Sequence, residues 1–173
     1  MLIKCSAEQN YGSVTFRGLV AAQYALDMAR SRQFTAEQQA ALFADMLSHA
    51  ESVVDLDALE EAVSQSTWFP IRVNVRFKCE GGAVLMALQV SDAPRAGSDM
   101  CDVIVQTISS QVHNAGHGTQ AVLGLVDVAR RLGRGVQLQS AVSAGGLALG
   151  RRLVRNQWWT ERWGSFYSPE SPE

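Results

Sequence analysis

Several common signals are missing from this chain. Its cysteines, Cys5, Cys79 and Cys101, are odd in number, far apart and form no CxxC pair. That excludes a disulfide framework and a zinc knuckle, and it points to a reducing compartment. No apolar run approaches the roughly 18 residues that span a bilayer, so no membrane segment is expected. The N-terminus lacks the basic-then-apolar plan of a secretory leader, which makes the cytoplasm the expected location. Net charge is −2 over 173 residues, so bulk electrostatics do not advertise nucleic acid. Internal repeats and low-complexity linkers are absent as well.

What remains is an ordinary globule, 47% apolar and 18% charged, of a length that suits one domain with a real core. The charge is unevenly spread. Up to residue 66, Glu8, Asp27, Glu37, Asp45, Glu51, Asp55, Asp57, Glu60 and Glu61 outnumber Lys4, Arg17, Arg30 and Arg32. From 119 to 164, Arg130, Arg131, Arg134, Arg151, Arg152, Arg155 and Arg162 face only Asp127 and Glu161. A locally basic half can hold an anion, although solvated helix faces produce the same pattern.

Periodicity divides the chain at Pro70. Residues 1–69 read as mostly helical, after a short strand at 1–5. A helix is expected over 20–30. A second follows the capping-box pair Thr35 and Gln38, with Ala40, Leu42, Phe43, Met46 and Leu47 at helical spacing. Asp57 with Glu60 predicts the start of a shorter one. Beyond Pro70, Ile71, Val73, Val75 and Phe77 alternate with polar residues, which predicts a half-exposed strand. Strands at 83–90 and 102–110 complete an antiparallel meander, with a loop at 92–97. Val122, Leu125, Val126, Ala129 and Leu132 then mark one face of a helix that Gly133 ends. A strand at 136–142, parallel to 102–110, a helix at 147–155, a strand at 163–167 and a frayed tail at 168–173 follow. The fold class is α+β, with a mixed, mostly antiparallel central sheet flanked by helices.

The chemistry concentrates between the third strand and the long helix, at His113-Asn114-Ala115-Gly116-His117-Gly118. A helix N-terminus presents unpaired N–H groups and a partial positive charge. Glycines let a ligand approach that backbone closely. Such a turn can cradle a pyrophosphate, and a tight loop that needs positive φ twice uses glycines equally well. A nucleotide P-loop needs Gly-Lys-Ser/Thr, and Thr119-Gln120 follow Gly118 instead. Gly116-x-Gly118-x-x-Ala121 fits the dinucleotide pattern GxGxxA, but no acidic residue lies on the next strand to hold a ribose.

The stretch resembles the acyl-CoA loop of the GNAT superfamily of N-acetyltransferases, whose pattern is Gln/Arg-x-x-Gly-x-Gly/Ala. The order of elements over 71–167 is similar to that family's, which implies a GNAT-like fold, acetyl-CoA or another acyl-CoA as acyl carrier, and an amine-bearing acceptor. The resemblance implies that backbone amides of Asn114, Ala115, Gly116, His117, Gly118 and Thr119 hold the pyrophosphate, with His113 in the place of Gln or Arg. It implies that Ile108 to Ser110 offers its edge to the pantetheine arm, and that Arg130, Arg131 or Arg134 could meet the 3′-phosphate. The family's tyrosine acid falls on Gly150, or on Val154, and its glutamate base has no counterpart on 102–110. The remaining candidates are Asp92 as base, Ser143 or Ser140 through water, and Tyr167 as a distant acid. The same gaps suit a binding module of this fold that transfers nothing.

Two other features carry less. His113 and His117 are four apart, yet no third ligand accompanies them, so no metal is expected. Trp158, Trp159 and Trp163, beside Arg155 and Arg162, could stack a nucleic-acid base or an aromatic substrate, but core packing or a homodimer contact is the favoured account.

Overall fold

The computed structural model describes residues 53–67, 69–112, 114–139, 144–157 and 159–170, together with Thr35, Glu37, Gln38, Ala40, Ala41, Phe43 and Ala44. The expected strand at 1–5 and helix at 20–30 lie outside these residues. The capping box is present as read: Thr35 N–H donates to Gln38 Oε1 at 2.9 Å, and Gln38 N–H donates to Thr35 Oγ1 at 3.2 Å.

Strand β1, Val53–Asp55, leads through a 3-10 turn at Leu56–Ala58 into helix α1, Leu59–Ser64. Neither start has a side-chain cap, so Asp57 does not act as one. Asp55 also fails to cap, because its carboxylate accepts from Arg76 Nε at 2.9 Å and Lys78 Nζ at 3.2 Å on the next strand. The meander is β2, Ile71–Cys79, β3, Gly82–Pro94, and β4, Cys101–Ser110. Part of the expected loop at 92–97 is therefore strand. After a register shift Pro94 pairs with Cys101, at a strand end where a proline costs no ladder bond.

Helix α2, His117–Arg131, buries Val122, Leu125, Val126 and Ala129. It stops at Gly133, whose φ of 67° is left-handed. Gly133 N–H donates to Arg130 O and Arg134 N–H to Ala129 O, a Schellman closure of the last carbonyls. Strand β5, Gly135–Leu138, follows; then helix α3, Ala144–Gln157. The chain closes with a hairpin, β6, Thr160–Arg162, and β7, Ser165–Tyr167. The single strand expected at 163–167 is thus two, because Trp163 and Gly164, at φ 48° and 73°, form the turn between them. Ser168 does not fray: its N–H donates to Val136 O at 2.9 Å and its Oγ accepts from Val136 N at 2.8 Å.

One seven-stranded sheet runs β1-β2-β3-β4-β5-β7-β6. The β1/β2 and β4/β5 pairs are parallel and the others antiparallel. Directly opposed residues share a face, so the register assigns Val73, Leu88, Val105, Leu138 and Phe166 to one side. Helices α1, α2 and α3 pack there, and Leu59, Leu125 and Leu153 are fully buried against that side. The opposite side carries Asn74, Leu85 and Ala87, which are also fully covered, and a polar group around Gln89 and Gln106. Among the described residues no helix is long and apolar enough to cross a membrane. A doubly wound parallel sheet, which a dinucleotide fold requires, is not present among them either.

Candidate functional site

The junction of β4 and α2 has the properties that the turn residues suggest. Asn114 and Gly116 adopt left-handed φ values of 58° and 78°. Gly116 is the N-cap of α2, and as glycine it has no side-chain oxygen to offer. Among the described residues, no main-chain N–H from Asn114 to Thr119 donates a hydrogen bond. Only at Gln120 does the helix ladder begin, with N–H to Gly116 O at 3.2 Å. A fifteen-residue helix thus ends in unfilled donors at the positive end of its dipole.

Gly118 sharpens the picture. A Cβ there would meet only Ile108 Cδ1 and Leu149 Cδ2, both at 3.9 Å. Packing would therefore accept alanine, and glycine costs about 1 kcal/mol against alanine inside a helix. The bare position lies between β4 and α3 without an internal need for it. His117 contributes through its main chain, since its ring is buried beside the β2–β3 turn with Nδ1 lacking a hydrogen-bond partner. Ile108 flanks Gly118, and Ser110 Oγ donates to Val112 O at 2.7 Å.

Beside this turn the described pairing of β4 with β5 ends. Parallel pairing of β4 with β5 covers Asp102 to Val105 and ends after Gln139 N–H donates to Val105 O. Beyond it, Thr107 to Ser109 pair with β3 and with no second strand among the described residues. A β-bulge at Gln106 bends β4 where its described pairing with β5 ends. On the opposite face of that bulge, Gln106 Nε2 donates to Gln89 Oε1 at 3.0 Å. This carboxamide pair was not legible as a site, because the register of β3 against β4 decides which side chains meet.

The other candidates are dispersed. Asp92 is exposed on β3 near the start of β4, the end of that strand opposite to Asn114. Tyr167 pairs with Gln137, which pairs with Ile104, so it stands two strands from β4 and just short of the end of the β4–β5 pairing. Its ring lies 5.4 Å from the Arg95 guanidinium. His113, Ser140 and Ser143 lie outside the described residues. Arg131 and Arg134 are at the wrong end of α2, about 20 Å from Gly116. There Arg131 pairs with Glu60 at 3.0 Å, while Arg134 donates to Ser91 O and covers Phe69. A 3′-phosphate role for this trio, Arg130 included, fails on distance. The tryptophans also part: Trp159 is core, Trp163 is 84% exposed, and Trp158 is outside the described residues.

Two titrations are displaced from their ordinary ranges. Hydrogen bonds from Arg76 and then Lys78 hold the Asp55 carboxyl low, and burial pushes the Cys79 thiol up. The described residues contain no cluster of His, Cys, Asp or Glu fit for a metal ion. Comparison with known protein families, with curated proteins and with solved structures found no match to this chain.

Proposed function

We propose that this chain is an acyl-CoA-dependent N-acyltransferase with a GNAT-like fold. One observation carries the reading: uncapped, unpartnered N–H groups at the start of α2 adjoin Thr107 to Ser109 of β4, which pair with no second strand among the described residues. The first feature suits a pyrophosphate and the second an amide-bearing arm. Bare Gly118, which packing does not require, leaves the phosphate seat open.

In the reaction, an amine N–C bond forms, the thioester C–S bond breaks, and the sulfur leaves as a thiol with the proton that the amine gives up. The chain's own part is positional. The amides from Asn114 to Thr119 hold the carrier, and that stretch of β4 aligns its arm toward the bulge. Gln106 and Gln89 offer carboxamide groups on the other side of that bulge, where they can orient an amine but cannot take its proton. Tyr167 is the one phenol among the described residues. A second reading, a binding module of the same fold that transfers nothing, draws support from Phe166, which fills the space beside Gly150 where the family's tyrosine would stand.

Thermal denaturation with acetyl-CoA, CoA and NAD tests the carrier. A ligand at about 100 times its dissociation constant adds roughly 2.7 kcal/mol. Stabilisation by acetyl-CoA and not by NAD is expected. No response to acetyl-CoA overturns the reading. Release of thiol in the presence of amines then separates the enzyme from the binding module.

A further inference from the structure

A cavity of about 290 Å³ opens on the sheet face opposite the helices, between the β6–β7 hairpin and the loop at 95–97. Its lining includes Arg95, Arg162, Trp163, Tyr167 and Glu170. We propose that this cavity receives the acceptor, and that the acceptor is an amino acid with an aromatic side chain. The proposal rests on the acyl-transfer reading for the reaction, but its binding claim can be tested alone.

Size comes first. This volume is at the small end for ligand sites and admits one ring with short substituents, not a nucleotide carrier or a folded peptide. Charge comes next. Arg95 is already committed: its guanidinium pairs with Asp102, 2.5 Å away, and donates to Ser168 O at 3.0 Å. Arg162 and Glu170 have no ion pair among the described residues. The lining therefore offers one uncommitted charge of each sign, which matches the carboxylate and ammonium of a free amino acid.

Trp163 supplies the aromatic argument. It occupies the first central position of a two-residue hairpin turn at φ 48°, where asparagine, aspartate or glycine is the comfortable choice. Its side chain is 84% exposed, so core packing does not explain it. A bulky residue held in a strained backbone region at a cavity mouth indicates a ligand contact. Tyr167 gives a second ring on the wall. Its main chain sits two strands from β4, about 10 Å from Ile104. The antiparallel register carries β7 back from Tyr167 toward the end of the β4–β5 pairing, so Trp163 holds its ring on that side of the cavity.

The test uses the full chain and calorimetric titration with L-phenylalanine, L-phenylalaninamide and L-alanine. Phenylalanine should bind, and the amide and alanine should each bind at least about tenfold more weakly. Trp163→Asn should weaken phenylalanine about tenfold or more while its melting temperature holds or rises, since asparagine suits the turn. Arg162→Gln should abolish the preference for phenylalanine over its amide. Wild-type affinity in a folded Trp163→Asn protein overturns the assignment, as does equal binding of acid and amide or no binding of phenylalanine by the wild type. Phenylalanine binding without any acetyl-CoA response removes the transfer reading and leaves the amino-acid site in place.

Discussion

The ring of Phe166 occupies the space into which a side chain on Gly150 would project. Glycine on the buried side of α3 is therefore a packing solution. It lets the helix settle onto β7, with Leu153 fully buried one turn later.

Gly150→Ala should lower stability by about 1–3 kcal/mol, because its Cβ meets an aromatic ring that the core holds in place. Gly150→Tyr should unfold the chain or displace α3 and should not raise thiol release. Urea denaturation of the alanine variant measures the first effect. Stability equal to wild type would show that Phe166 can move aside.

Gly118→Val should remove the acetyl-CoA thermal shift while leaving the stability of the free protein within about 0.5 kcal/mol of wild type. Gly118→Ala should fold at least as well, given its 3.9 Å neighbours, and still weaken the response. Undiminished acetyl-CoA stabilisation of the valine variant would move the phosphate seat elsewhere.

Arg95 and Asp102 form the most buried ion pair among the described residues, their side chains 10% and 5% exposed. Asp102→Asn leaves a guanidinium without its counter-charge and should cost about 3 kcal/mol or more. Chemical denaturation checks this. The loss should extend to the cavity, because Arg95 also holds Ser168 and covers Tyr167.

Asp55 gives a pH dependence. Its carboxyl is held below the ordinary aspartate range by Arg76 and then Lys78, so the folded state releases the proton more readily than the unfolded chain. That contribution is present at neutral pH and is lost as pH falls below about 4. Asp55→Asn should flatten the acid limb of a melting-temperature profile without altering the curve's shape near neutrality. Parallel acid limbs would show that the pair adds nothing.

Much of this architecture was legible because it follows local rules. The Thr35–Gln38 box, the buried stripe of α2, the glycine stop at Gly133 and the parallel return of β5 each have a short-range signal. The hidden parts depend on long-range pairing. Strand β6 is exposed at Thr160, Glu161 and Arg162, so no alternation marked it. Asp57 read as a cap, but the competing cations on β2 that recruit Asp55 could not be foreseen before the register was known. The α2 turn was visible in its glycines. The Gln89–Gln106 pair and the cavity beneath Trp163 were not, since strand register and a hairpin assemble them from distant segments.

The place of β5 has a consequence during synthesis. It lies between β4 and β7, and β7 is made later, so a nascent chain carries β5 as a bare margin for roughly one to five seconds at ordinary elongation rates. Its brevity, four residues, limits the template that it offers to other nascent chains over that interval.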